Sequence, residues 1–263
     1  MDSTLQDEAQ ELHRRRWDRV LSVASPLLLL ALWEVLSRAE LIDTRFFSRP
    51  SWILTTFWDL LVSGELVRHV VISLMRVLVG FTVAAVPGVI LGLTMGLFRP
   101  VRAAVEPIIA ALYPIPKLAL LPLLLLIFGT GETFKIMTIA LGCVLLITVN
   151  TLAGVVNIDP VYLDVARNFG AGRRDFYLTV ALPGALPVIF TGLKLGMGVA
   201  LLLIVAAEMI GARSGIGYMI WTSYQIFDLE QMYVGLLLMA FFGYVSTLFI
   251  NLLERWIIPW KRS

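Results

Sequence analysis

Three charged residues interrupt long apolar segments of this chain: Lys117, Lys194 and Glu208. A charge at the centre of a membrane costs on the order of 3 kcal/mol on insertion scales, so each one calls for a function or a partner. Lys117 follows a proline-rich segment, where its ammonium group could attract an anion. The candidates for a substrate path are therefore Tyr113, Pro114, Pro116, Lys117, Lys194 and Glu208.

Each of these charges also has a simpler explanation. Lys117 and Lys194 have side chains long enough to place their ammonium groups at a membrane surface. Glu208 lies shortly before Arg213 and could pair with it at the interface, or it could have a role in gating or packing. Lys194 and Glu208 cannot pair within one helix, because they would lie roughly 21 Å apart along its axis.

A second group of charges lies in the polar segment 159–185, between two apolar runs. The spacing of Tyr162, Val165, Ala166 and Phe169 predicts a helix with one apolar face, and Gly170 then permits a turn. An apolar ridge flanked by charge is typical of a helix that docks into a partner's groove. The alternative is an ordinary basic loop of the kind that the positive-inside tendency produces. The flanking charges include Asp164, Arg167 and Arg173.

The composition is that of a polytopic membrane protein. Hydrophobic residues make up 59% of the chain and charged residues 15%, against roughly 45–50% and about 25% in soluble domains. Since a helix needs about 20 apolar residues to cross the hydrocarbon, the charge-free runs predict an all-α fold with six spans. These are Val20–Trp33, Val77–Phe98, Leu118–Gly131 with apolar sequence before it, Ile136–Ile158, Leu186–Ala207 and Gln231–Leu253.

Two of these spans carry a further signal. In the second, Gly80, Gly88, Gly92 and Gly96 recur at multiples of four residues and predict a face for close helix contact. In the third, the prolines of residues 113–117 remove backbone donors, so the span should kink or break. Irregular backbone at membrane depth is tolerated where protein or a watery cavity covers it, which favours this segment as part of a path.

Arginine and lysine near the span ends predict the orientation. They cluster in four segments that fall on one side of the membrane: residues 14–19, 99–102, 167–174 and 255–262. The positive-inside tendency therefore predicts that both termini and the 159–185 loop are cytoplasmic. The predicted organisation is a cytoplasmic tail over residues 1–19, a single membrane domain over residues 20–258 and a second cytoplasmic tail over residues 259–263.

The region around the first span raises two further points. A basic cluster precedes this span, as in a cleaved signal peptide, but Glu34–Arg38 is a poor cleavage site, so we expect a retained helix. After it, Trp52, Phe57 and Trp58 follow Pro50 among polar residues. They predict an interfacial amphipathic helix that packs on its own protein or faces an external partner.

The 159–185 loop resembles the signature loop of ABC-importer permeases. That family's pattern is Glu-Ala-Ala, three residues, Gly, nine residues and Ile-x-Leu-Pro. This chain has Asp-Val-Ala from position 164, Gly170, and Val-Ala-Leu-Pro from position 180, with the same spacing and three replaced residue types. The resemblance implies that the loop couples the permease to an ATPase. It assigns that role to Tyr162, Asp164, Ala166, Arg167, Phe169, Gly170, Arg173 and Pro183.

A wider resemblance, over roughly residues 45 to 260, is to the nitrate, sulfonate and taurine branch of these permeases. The segments that carry it lie at residues 63–66, 73–77, 114–122, 128–132 and 214–218. It implies the type I importer fold, with six helices per subunit in a bacterial plasma or inner membrane. It also implies a second permease subunit, expected to be an identical copy, a pair of ATPase subunits that bind ATP and Mg²⁺, and an extracytoplasmic binding protein that delivers a small anionic solute.

The sequence lacks the motifs of several other classes. Without a Gly-x-x-x-x-Gly-Lys-Ser/Thr loop, we expect ATP hydrolysis in a separate subunit and no cofactor on this chain. His13, His69 and Cys143 predict neither a metal site nor a disulfide, and we expect membrane lipid but no nucleic acid as a partner. A secondary transporter driven by an ion gradient is the alternative, but it would need inverted repeats and midplane charges. A membrane enzyme would need a catalytic cluster.

Overall fold

The computed structural model describes residues 2–170 and 172–260, and within those ranges it contains helices and no strand, which confirms the all-α prediction. The side chains of residues 1–16, Arg167 and Arg173 lie outside the described part, as do residues 261–263. The helices are α1 (Asp2–Arg38), α2 (Pro50–Val62), α3 (Glu65–Leu97), α4 (Arg99–Leu112), α5 (Leu121–Phe128), α6 (Glu132–Val156), α7 (Pro160–Asn168), α8 (Arg173–Phe176), α9 (Leu182–Gly211), α10 (Ile216–Ile226) and α11 (Leu229–Ile257).

Four helical stretches among the described residues are long and apolar enough to cross a membrane. They are α3, α6, α11 and the continuous stretch Tyr177–Gly211, which joins a short π-helical segment to α9. A fifth span is formed if α4 and the helical stretch Lys117–Phe128 are counted together. The predicted first span lies within α1, and the count of six stays a prediction.

The third span is bent, as its prolines predict. α4 and the stretch Lys117–Phe128, which is a 3₁₀ turn followed by α5, meet at an angle of 86°. The break falls between Leu112 and Lys117. If the pair is one span, the apolar sequence before Leu118 belongs to it as well.

α3 and α6 pack against each other along the predicted glycine face. A Cβ atom added at Gly80 would lie 2.8 Å from Ile139 Cβ, and one added at Gly96 would lie 2.5 Å from Val155 Cβ. The missing side chains allow the two backbones to approach closely. Because the residue numbers rise together along the contact, α3 and α6 are parallel.

α9 packs against α6 in the opposite direction. A Cβ atom at Gly142 would meet Leu203, near the end of α9, whereas one at Gly154 would meet Ala185, near its start. The bundle therefore has two ends. The α7 end holds the last turns of α3 and α6 and the first turn of α9, and the α10 end holds Glu65, Glu132 and Gly211. Between the ends, the apolar core of α3, α6 and α9 includes the fully buried residues Ala84, Ile139, Cys143, Ile147, Ala200 and Ile204.

The observed helices are longer than the charge-free runs. α3 begins at Glu65 rather than Val77, and α6 begins at Glu132 rather than Ile136. The extra turns contain Arg76 and Lys135, which lie beyond the charge-free runs but are buried, 5% and 3% exposed. These charges extend into the bundle because other residues neutralise them there.

Candidate functional site

α7 carries the predicted coupling residues. It begins behind Asp159, whose carboxylate accepts a hydrogen bond of 2.9 Å from the Val161 amide, an N-terminal cap. It ends at Gly170, which has a φ of +68°, a conformation that glycine adopts without steric cost. A Cβ atom at Gly170 would meet nothing within 4 Å. The loop therefore requires glycine for its backbone conformation rather than for packing.

The apolar face of α7 is divided between the protein and its surroundings. Ala166 is buried, and α7 contacts the π-helical segment that precedes α9. Tyr162, Val165 and Phe169 are exposed, Phe169 to 86%. The sequence placed all four residues on one face, but only the small alanine side chain packs inward. The other three leave an apolar surface at the α7 end of the bundle.

The second half of the signature loop leads into α9 through the π-helical segment Tyr177–Ala181. Ala181 is fully buried, and Pro183 is the second residue of α9, where it leaves a carbonyl of the preceding π-helical turn without a helical donor. Such π-helical turns insert an extra residue into a helix and are frequent at functional sites. The loop thus continues directly into a membrane span.

Lys117 stabilises the bend of the third span. Its ammonium group donates hydrogen bonds to the carbonyl oxygens of Leu112 (3.1 Å), Tyr113 (3.2 Å) and Ile115 (3.0 Å). The three bonds match the three donors of an ammonium group, and their acceptors are carbonyls at the break of the span, where the helical hydrogen-bond pattern is interrupted. Tyr113, Pro114 and Pro116 themselves are exposed. In this conformation the Lys117 ammonium group therefore binds backbone carbonyl oxygens of its own segment.

Lys194 has a partner on another helix. Its ammonium group forms an ion pair with Glu254, so that α9 is tied to α11 near the α7 end. The two side chains are 25% and 11% exposed, so the pair is partly shielded. An intramembrane charge that pairs with an opposite charge needs no further explanation for its position.

Glu208 lies at the centre of a buried polar junction at the α10 end. It is 0% exposed. Its carboxylate accepts hydrogen bonds of 2.8 Å from Ser73 Oγ, from Arg76 Nη1 and from the Gly217 amide. The suggested pairing of Glu208 with Arg213 is therefore wrong, since its charge partner is Arg76 on α3 while Arg213 is exposed.

Arg76 extends this junction to two further elements. Its Nε and Nη2 atoms donate two hydrogen bonds of 2.6 Å to the Glu132 carboxylate at the start of α6, and Nη1 donates to the Ser214 carbonyl at 2.6 Å. Lys135 also lies 3.2 Å from Glu132. One guanidinium group thus joins α3, α6, α9 and the α9–α10 loop. We call Ser73, Arg76, Glu132, Glu208 and Gly217 the polar junction.

Two glycines, Gly215 in the α9–α10 loop and Gly217 in the first turn of α10, allow the chain to wrap around the Glu208 carboxylate. Gly215 has a φ of +121°, and a Cβ atom there would lie 2.3 Å from the carboxylate carbon. A Cβ atom at Gly217 would lie 2.4 Å from the Val205 carbonyl oxygen. Any larger side chain at either position would displace the loop from Glu208.

Sequence reasoning missed the roles of Ser73, Arg76 and Gly217 in this junction. Ser73 and Arg76 are three residues apart and so share a helix face. A serine and an arginine on one face, together with a lone glutamate in another apolar span, were a signal for a buried pair. The signal was lost because the arginine was taken as the boundary of the second span.

Comparison with known proteins identifies the family. The family described as "Binding-protein-dependent transport system inner membrane component" matches residues 88–263. The aliphatic sulfonates transport permease SsuC of Bacillus subtilis is 33% identical, with 95% of this chain and 91% of that protein covered. The taurine permease TauC of Escherichia coli is 33% identical (95% and 96%), and the nitrate import permease NrtB of Leptolyngbya laminosa is 35% identical (84% and 84%).

A solved structure supports the same fold. The crystal structure of an amino acid ABC transporter with histidines superimposes with a TM-score of 0.58 at 19% identity, covering 83% of this chain and 98% of that one. At that identity the likeness concerns the fold alone, which is that of type I ABC-importer permeases. Together with the family match, it shows that this chain belongs to the binding-protein-dependent inner membrane permeases of ABC importers, in the nitrate, sulfonate and taurine branch.

Proposed function

We propose that this chain forms the membrane path of an ATP-driven importer for a small solute that carries an oxyanion group, such as a sulfonate, taurine or nitrate. The relatives named for these solutes support the proposal, because they match this chain over most of its length. The chain contributes the path and the coupling helix. ATP and Mg²⁺ are bound and used by a separate ATPase.

One observation carries the coupling part of the proposal: α7 ends at a left-handed glycine and exposes Tyr162, Val165 and Phe169 at the end of the bundle. An exposed apolar ridge on a short helix fits a groove in a partner protein. The ATPase therefore docks on α7. Asp164 lies on the same helix, and Arg167 and Arg173 belong to the same contact.

The orientation of the subunit follows from this docking. The α7 end faces the cytoplasm, where ATP is present. The carboxyl end of α11 lies on the same side, because Glu254 pairs with Lys194 in the half of α9 that is nearer the α7 end. α1 supplies the sixth span and places the amino terminus in the cytoplasm. The α10 end then faces the exterior and receives the solute from a binding protein.

The remaining assignments concern the path itself. Two copies of the chain enclose it, and the exposed bend at Tyr113, Pro114 and Pro116 contributes to its lining. Lys117 holds that bend in shape, and Lys194 fixes α9 to α11. Glu208 acts in gating through the polar junction, whose hydrogen bonds close the external end of this subunit in the conformation described above. Rocking of the helices between inward-open and outward-open states would require these contacts to rearrange.

The Gly170→Val substitution tests the coupling role. A β-branched residue in the left-handed conformation is strained by about 1–3 kcal/mol, so the end of α7 should change shape while the bundle stays folded. We expect the purified permease to lose its ATPase and to lose ATP-dependent uptake of taurine and nitrate in proteoliposomes containing the binding protein. Membrane insertion should stay normal.

Gly172→Val is the matched control for this experiment. Gly172 does not have a positive φ, and a Cβ atom there would meet only the Asp175 carboxylate, at 3.4 Å. This variant should keep its ATPase and its uptake. Normal uptake in the Gly170→Val variant would contradict the coupling role, and uptake driven by an ion gradient without ATP would identify a secondary transporter instead.

A further inference from the structure

A polar pocket of about 500 Å³ opens at the α10 end, beside the polar junction but separate from it. Its lining comes from the α2–α3 turn, the first turns of α3, the α9–α10 loop and α10. The lining residues are Ser63, Gly64, Glu65, Arg68, His69, Arg213 and Tyr218. Neither the coupling role of α7 nor the junction around Glu208 uses the charged groups of this pocket.

The charge of the pocket is positive. Arg68 and Arg213 are exposed, and no carboxylate among the side chains that the structure describes forms an ion pair with either guanidinium group. Glu65 is the one acidic residue of the lining, and its carboxylate is 53% exposed. Two guanidinium groups against one carboxylate leave a net charge of +1. Arginine presents planar donors that match oxyanions such as sulfonate or nitrate.

His69 adds a buried donor that faces the same pocket. Its side chain is 5% exposed, and Nδ1 accepts a hydrogen bond of 2.9 Å from the Gly215 amide. An imidazole nitrogen that accepts a hydrogen bond carries no proton, so the proton of the neutral ring is on Nε2. Nε2 faces Glu65 Oε1 at 3.7 Å, longer than an ordinary hydrogen bond. An anion in the pocket would compete with Glu65 for this donor.

The amino terminus of α3 adds positive partial charge to the pocket. Gly64 precedes the helix with a φ of +77° and has no side chain to cap it, and the Glu65 amide donates only a long hydrogen bond of 3.4 Å to Ser63 Oγ. The unpaired amides of a helix amino terminus carry a positive partial charge, which favours an anion beside them. The pocket thus combines a helix terminus, a buried imidazole donor and two guanidinium groups that form no ion pair with the described side chains.

We propose that this pocket is an acceptor site for the oxyanion group of the solute at the external mouth of the permease. The assignment to the external side rests on the proposed function. Gly215 links the pocket to the polar junction, because its amide holds His69 while its neighbours Ser214 and Ile216 bond to Arg76 and Ser73. A bound solute lies one residue away from the contacts that close this end of the bundle.

The test is a binding titration on the permease–ATPase complex in nanodiscs of phosphatidylcholine. Sodium methanesulfonate is titrated at constant ionic strength, with calorimetry as the readout. We expect saturable binding that weakens about tenfold or more in the Arg68→Gln, Arg213→Gln double variant, since two exposed charge contacts are lost. Arg45→Gln is the matched control, because Arg45 is an exposed arginine that already pairs with Asp43. The Arg45→Gln variant should bind methanesulfonate with the same affinity as the unchanged protein.

Three outcomes would overturn the proposal: no saturable binding, equal binding by the double variant, or binding that phosphatidylglycerol in the nanodisc abolishes, which would make the pocket a lipid headgroup site. ATPase co-purification and ATP-dependent uptake are measured on the same preparations. Saturable binding without ATP-driven uptake would contradict the proposed function but support an oxyanion site in the pocket. ATP-driven uptake without saturable binding would contradict the oxyanion site alone.

Discussion

The two ends of this bundle use charged and polar residues in opposite ways. At the α10 end, Glu208 and Arg76 are enclosed, and their polar atoms are paired with partners from α3, α6, α9, the α9–α10 loop and α10. At the α7 end, the signature loop leaves apolar side chains exposed, with Phe169 at 86%. A set of charges whose partners are all internal holds a fold together. An apolar surface without an internal partner is available to another protein.

The comparison separates residues that the fold needs from residues that the assembly needs. Substitutions in the polar junction should remove folded protein, because a buried charge without a partner is costly. Substitutions on α7 should leave the bundle intact and weaken the ATPase contact. Measuring folding and assembly on the same variants tests whether this separation holds.

The largest effect is expected for Arg76→Met. The substitution leaves the Glu208 carboxylate without its charge partner at 0% exposure, which should destabilise the folded state by about 3–5 kcal/mol. Thermal unfolding followed by tryptophan fluorescence, together with the yield of monodisperse protein, measures the loss. The double variant with Glu208→Met should recover part of it. A single variant that melts like the unchanged protein would contradict the structural role of the junction.

An intermediate effect is expected for Phe169→Ala, on assembly rather than on folding. An exposed aromatic anchor at the centre of an interface contributes about 2 kcal/mol or more, so the affinity for the ATPase should fall roughly 30-fold. The melting temperature should not change. Binding of the ATPase to immobilised permease gives the affinity. Phe47→Ala is the control, because Phe47 is 52% exposed at the opposite end. Equal weakening by both variants would show that α7 has no special role.

The smallest effect is expected for Lys194→Met. The ion pair with Glu254 is only partly shielded, so its loss should cost about 1 kcal/mol, or about 2–4 °C in melting temperature for a protein of this size. Lys194→Arg keeps the charge and should melt as before. If Lys194→Met lowered the stability as much as Arg76→Met, the cost of breaking an ion pair would depend on its position in the membrane rather than on its burial within the protein.

Local patterns in the sequence predicted the features that depend on neighbouring residues. The spacing from Tyr162 to Gly170 gave the helix and its end, the glycines from Gly80 to Gly96 gave the contact face of α3, and Pro114 and Pro116 gave the bend. Each of these depends on the backbone preferences of residues within one or two turns, which a single sequence displays directly.

The polar junction could not be predicted in this way. Ser73 and Glu208 are 135 positions apart in the chain, and no local pattern shows that they meet. A search for charge-free runs also assumes that a charge ends a span, so it placed the start of the second span at Val77 although α3 begins at Glu65. α10 was missed as well, because it is a helix of only 11 residues behind Gly215.

The parallel packing of α3 on α6 determines where this subunit can bend. At four glycines the α3 backbone packs directly on side chains and carbonyl groups of α6, so only one layer of side chains lies between the two helices there. α6 alone spans roughly 37 Å without a break, at 1.5 Å per residue, and runs from the loop before α7 to Glu132. A displacement applied at one surface of the membrane is therefore transmitted to the other with little loss, and deformation concentrates in the elbow between α4 and α5.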